Sequence, residues 1–156
     1  MNTDLASPLD ARLAPLGPLA LRVALGTVFI AHAWAKATIF TFDGTAAYFE
    51  ANGFPGWMAL PVFAAELVGG AALLLGFRVR WAALALIPVM LGALKPHIAN
   101  GWMFTASGGG WEYVAFLIVA LFSQAALGAG AYSLDGSGTR LARVTDPSIV
   151  SPPAVT

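Results

Sequence analysis

Four apolar runs, each about as long as a bilayer is thick, govern what this chain can become. They cover residues 19–40, 57–77, 81–97 and 111–132, and each approaches the ~20 residues a helix needs to cross the hydrocarbon. No water is present there to bond free N–H and C=O groups, so the runs are expected to be α-helices, with a kink at Pro88 in the third. Composition agrees: 58% of the 156 residues are apolar and 10% are charged, and a soluble surface carries far more charge. The expected fold is an all-α membrane protein, a bundle of four transmembrane helices over residues 17–135. Segments 1–16 and 136–156, punctuated by Pro8, Pro15, Pro152 and Pro153, are expected to be flexible cytoplasmic ends.

Basic residues set the expected orientation. Arg12 precedes the first run, Arg78 and Arg80 form the short link between the second and third, and Arg140 and Arg143 follow the fourth. Loops rich in arginine stay in the cytoplasm, which places both termini inside. Trp57, Trp102 and Trp111 then fall in an outer aromatic belt and Trp81 in an inner one. A cleaved signal peptide is a rival account of the first run, because Ala31 and Ala33 flank His32 in a small-residue pattern. Arg22 inside the run, Asp4 and Asp10 before it and apolar residues up to Phe40 favour a retained helix. The outer loop 42–56, with Tyr48, Phe49 and Phe54, is amphipathic enough to lie at the interface and cap the bundle.

Net formal charge is zero and the basic residues are scattered, so no nucleic-acid footprint exists. Cysteine is absent, which removes disulfides, thiolate metal sites and a dithiol relay on this chain. The partners compatible with such a chain are the lipid bilayer, a partner oxidoreductase subunit and a second copy of itself.

Ionisable residues at bilayer depth cost ~2.5–3.5 kcal/mol each on insertion scales and therefore ask for a partner or a purpose. His32, Lys36, Glu66, His97 and Glu112 stand out. His32 and Lys36 are four residues apart in the first run and share a helix face. Glu66 lies ~13 Å below the outer boundary at the usual helical rise. His97 closes the third run and Glu112 opens the fourth, so all four helices contribute, with Lys95 and Asn100 close by. Arg22 lies near the other end, where its stem can snorkel.

Two readings of this cluster stand side by side. In one, Lys36 and Glu66 are a structural ion pair that fixes how two helices pack, and His97 and Glu112 are ordinary interfacial residues. In the other, the set forms an outward-facing pocket for a quinone or a similar lipophilic molecule. Lys36 and a histidine N–H would then donate to its carbonyl oxygens and Glu66 would carry protons. A haem between His32 and His97 is the weaker cofactor reading, because the two sit at different depths, and no spacing suggests a metal site.

Small residues four apart, Ala65 with Gly69 and Glu66 with Gly70, allow close helix approach. Ala125 and Ala129 do the same beside Gln124, whose amide is expected to find an interhelical partner. Residues 108–110, three glycines, lack the context of a phosphate loop and read as a flexible turn. A faint internal repeat would match His32, Lys36 and Glu66 with Lys95, His97 and Glu112.

In ordered pieces the sequence resembles the DoxX family over residues 21–135. The pieces are AHAWAK from Ala31, GTAAYFEANGFPG from Gly44, AELVGGAALLLGFRVRWAAL from Ala65, PHIANGWMF from Pro96, GGGWEY, and LGAGAYSLDG from Leu127. Ala33 stands where that family usually has glycine. The resemblance implies a four-span bundle in the bacterial inner membrane, linked to quinone-coupled oxidation of sulfur compounds and to membrane oxidoreductase complexes. The alternative function is a non-catalytic membrane anchor or scaffold that recruits a redox or stress-response enzyme.

Overall fold

The computed structural model describes residues 12–135. The flanking segments 1–11 and 136–156, with Arg140 and Arg143, lie outside the described residues. Among the described residues five helices follow one another: α1 (Leu16–Thr38), α2 (Phe42–Ala51), α3 (Ala59–Leu75) entered through a 3₁₀ turn (Gly56–Met58), α4 (Val79–Ile98) and α5 (Glu112–Leu127). No strand occurs among the described residues. Three stretches are long and apolar enough to cross a membrane: α1, α3 with its 3₁₀ turn, and α4. The 16-residue α5 is a shorter apolar helix.

Local chemistry sets the helix ends. Proline enters the first turns at Pro18 and Pro61, where no intrahelical N–H is required. α1 stops before Thr41, which turns to φ 61° and accepts the Gly44 N–H on its hydroxyl at 3.2 Å, capping α2. Asp43 adds negative charge to that first turn. α2 ends on Gly53 at φ 74°, with Phe54 N–H returning to the Phe49 carbonyl. α3 ends the same way on Gly76, and the link to α4 needs only Phe77 and Arg78.

The helices form a ring in which α1 packs on α3 and α5, and α4 packs on the same two. Leu25, Phe29, Leu73, Leu86, Leu117 and Leu121 fill its centre. α1 and α3 approach most closely at Gly26 and Gly70. A Cβ on Gly26 would lie 2.8 Å from the Gly70 carbonyl oxygen, and one on Gly70 would lie 3.1 Å from that of Gly26. The neighbouring Gly69 faces the other way, against Leu86 of α4. Adjacent small residues on α3 thus serve two different interfaces.

Arg22 departs from the snorkelling expectation. It is only 1% exposed. Its Nε donates to Ala129 O at 2.9 Å, Nη1 to Leu73 O at 3.0 Å and Leu74 O at 2.6 Å, and Nη2 to the carbonyls of Ala131 and Tyr132. A helix leaves its last carbonyls short of donors: Leu73 O accepts the Gly76 N–H at 3.1 Å besides the guanidinium, and the carbonyls of the non-helical segment after α5 need donors too. A guanidinium offers five N–H groups in a planar fork, so these carbonyls draw it inward and away from the interface. Arg80 does similar work on α5, with Nη1 donating to Ala125 O at 2.8 Å and Ala126 O at 2.9 Å.

The fourth apolar run is only partly helix. Gly128 at φ 84° ends α5, and the chain from there runs back over the start of α1, with Ala131 N–H on Pro15 O. Hydropathy measures apolar content and cannot separate the helix from this non-helical tail. Gln124 differs from expectation as well. Its amide donates to Gly128 O at 2.6 Å, four residues on, rather than across to another helix, and Oε1 has no partner.

Arg22→Gln would strand several of the five carbonyls. The expected cost is ~1–3 kcal/mol for each buried carbonyl left without a donor, read as a lowered unfolding midpoint in detergent. Arg22→Lys should recover only part of it, because an ammonium carries three donors.

Candidate functional site

At the end of the bundle opposite Arg22, Lys36 of α1 meets Glu66 of α3. Nζ lies 2.9 Å from Oε1 and 2.7 Å from Oε2. The side chains are 16% and 3% exposed, respectively. Helix geometry explains the meeting. α1 and α3 are antiparallel and touch at Gly26 and Gly70, so Glu66 stands level with about residue 30 and Lys36 about two turns beyond it. Side chains lean towards the N-terminus of their own helix, so Lys36 leans back and Glu66 leans forward, closing a gap of ~9 Å along the axis.

The pair lies in the wall of a cavity of about 750 Å³ to which all five helices contribute. Phe29, Val62, Val89, Met90 and Leu117 make much of it apolar. α2 covers it as the amphipathic loop suggested, contributing Thr45, Tyr48 and Phe49. An edge-on contact between the rings of Phe42 and Phe63, centroids 5.0 Å apart, ties α2 to α3. Beyond α2, Lys95 holds the next turn, with its ammonium 4.5 Å from the centre of the Phe54 ring and Phe54 itself on the cavity.

His32 and His97 both border this cavity. The Nδ1 of His32 lies 2.8 Å from Val28 O, and that of His97 3.0 Å from Gly109 O. Glu112 stands outside the cavity wall, in an adjoining open cleft that His97 also borders. Its Oε1 accepts the Phe104 N–H at 2.8 Å. Lys95, His97 and Glu112 therefore do not reproduce the Lys36–Glu66 pairing, and the faint repeat has no counterpart in side-chain contacts.

The loop from 101 to 111 turns at its glycines and is crossed by hydrogen bonds. Asn100 Nδ2 donates to Gly108 O at 3.0 Å and Gly109 O at 2.9 Å, while Trp111 and Glu112 N–H groups return to Gly101 and Trp102 carbonyls. Gly108 and Gly109 take φ of 82° and 76°, where a Cβ is costly. Trp102 and Trp111 close the loop edge-on at 4.4 Å.

Three features of the wall escaped the sequence. Thr45 is 5% exposed and its hydroxyl has no hydrogen-bond partner. Gly92 borders the cavity, and a Cβ placed on it meets nothing within 4 Å. Pro88, Gly92 and Pro96 recur every fourth residue along the face of α4 that borders the cavity. That spacing is a legible helical period, hidden because proline reads first as a helix breaker.

Comparison with known proteins places this architecture. The chain matches the DoxX family model over residues 17–106, a span that includes His32, Lys36, Glu66 and His97 and stops short of Glu112. It is 36% identical over 134 residues to the inner membrane protein YqjF of Escherichia coli (strain K12), covering 80% of this chain and 93% of that protein. It is 32% identical over 79 residues to the Bacillus subtilis (strain 168) protein named "Putative oxidoreductase CatD", covering 51% of this chain and 58% of that protein. No solved structure gives a significant match.

A double-mutant cycle measures what the ion pair contributes to the fold. Lys36→Met or Glu66→Leu alone strands one buried charge and is expected to cost ~3–5 kcal/mol, whereas the double variant should recover most of the loss. Unfolding midpoints in detergent for the four proteins check it.

Proposed function

The chain belongs to the DoxX family and is a multi-pass inner membrane protein, and from that premise we propose that it is the membrane subunit of a quinone-linked oxidoreductase system. In this reading a quinone or a similar small lipophilic molecule occupies the cavity beside Lys36 and Glu66. The observation that carries the proposal is the cavity itself. At about 750 Å³ it falls within the ~300–1,000 Å³ range of small-molecule sites, and like them it is mostly apolar with a few polar groups. The open space at Gly92 and the unpartnered hydroxyl of Thr45 suit an occupant with both an apolar ring and polar oxygens.

The residues divide the work as follows. Two of the three ammonium protons of Lys36 face Glu66, which leaves one to orient an oxygen of the occupant. Glu66, 2% exposed, is the carboxylate beside the occupant that would carry protons. A bound quinone would supply the two-electron, two-proton couple, and a partner protein the electrons. The name of the B. subtilis relative leans the same way.

Orientation belongs to the same proposal. Arg12, Arg78 and Arg80 lie at one end of the bundle and the cavity near the other. With the arginine end in the cytoplasm both termini are inside and the cavity lies towards the outer leaflet.

Mass spectrometry of organic extracts from the purified protein tests the occupancy. Wild type should retain a lipid quinone. Gly92→Phe, which fills open space without touching the ion pair, and Glu66→Gln should each retain about tenfold less. Equal occupancy in all three would overturn the reading.

A further inference from the structure

We infer that the cavity prefers the reduced, hydroxyl-bearing quinol over the quinone, because its two imidazoles are set as hydrogen-bond acceptors. A backbone carbonyl only accepts, so a ring nitrogen 2.8 Å from Val28 O must carry the proton, as must the one 3.0 Å from Gly109 O. In a neutral imidazole the second nitrogen is then a bare lone pair. His32 and His97 therefore each offer Nε2 as an acceptor. The expectation that a histidine N–H donates to a quinone carbonyl is reversed, since each Nδ1–H is already spent on the backbone.

The rest of the polar wall leans the same way. Lys36 keeps one N–H beyond the two that face Glu66. Pro96 has no N–H to give the Gly92 carbonyl, its partner four residues back, so a further acceptor without its intrahelical donor belongs to a cavity residue. The hydroxyls of Thr45, Tyr48 and Tyr113, which all line the cavity, can serve either role, and the Asn52 amide carries both. Among groups with one fixed role, acceptors thus outnumber donors. A quinone presents two carbonyl oxygens and no proton, and of the groups with a single fixed role only the Lys36 ammonium can donate to it. A quinol presents two O–H groups and finds lone pairs to receive them. A buried acceptor facing a ligand without a donor stays desolvated and unpaired, which is how such sites discriminate strongly between ligands of nearly equal shape.

This inference rests on the cavity being the quinone site, and the experiment separates the two. Anaerobic calorimetric titration of the detergent-solubilised full chain compares decylubiquinol with decylubiquinone as probes. The expected result is at least ~10-fold tighter binding of the quinol. His32→Phe should remove most of that preference by weakening the quinol, while the quinone Kd moves less than about twofold. His32 hydrogen-bonds only within its own helix, so the variant spares the packing. Equal affinities, or tighter binding of the quinone, would overturn the inference and leave the site standing. Binding of neither probe to a folded protein would remove the site and the inference together.

Discussion

Everything else in this bundle depends on how α1 is held. One stripe of that helix, through Arg22, Leu25, Gly26, Phe29, Ala33 and Lys36, faces inward, and its first and last members are cations two heptads apart, ~21 Å along the axis. At one end the Arg22 guanidinium gathers carbonyls from α3 and from the chain after α5. At the other end the Lys36 ammonium takes both oxygens of Glu66. Between them Gly26 and Gly70 bring the backbones together. Apolar packing alone discriminates weakly among helix registers in lipid, because the tails are as apolar as the side chains. Two desolvated cations, each with acceptors at only one place on α3, fix the register at both ends.

That clamp also explains why a cavity lies where it does. At the glycine crossing no room remains for even a methyl group. Towards the opposite end Lys36 and Glu66 span the space with long side chains, α4 presents Gly92 between two prolines, and the space is covered by the short helix α2 rather than filled by a core residue. A cavity walled by an ion pair and two backbone-anchored imidazoles is polar in only a few places, and the ammonium and the imidazoles among them have set hydrogen-bond partners. The same interactions that hold the helices therefore set which ligand oxygens the cavity can satisfy.

How much of this could be read from residues alone varied with the distance over which each interaction acts. The apolar runs, the short arginine-bearing link after Gly76 and the shared face of His32 and Lys36 follow from one-dimensional spacing. Lys36 and Glu66 were legible as partners because few groups in lipid can satisfy either. Arg22 was misread because its acceptors are backbone carbonyls, which every residue has and no sequence marks. The fourth run was read as too long because Gly128 and Gly130 interrupt it without lowering its apolar content. The histidine partners were not legible for a related reason: the ring nitrogen of His32 meets a carbonyl one turn back, and that of His97 a loop carbonyl twelve residues on.

The sequence by itself determined that the chain is a helical membrane bundle and that a few charged residues must be buried together, since the cost of desolvating backbone and charge in lipid leaves no other outcome. Only the tertiary structure decided that Arg22 is a carbonyl clamp rather than an interfacial anchor. It also separated Glu112 from the cavity that His32, Lys36, Glu66 and His97 border, and set the Nδ1 of both imidazoles against backbone carbonyls. The physical reason is that hydrogen-bond satisfaction is a property of positions in space. Carbonyls left over at helix ends and loop turns have no sequence signature until the helices are packed.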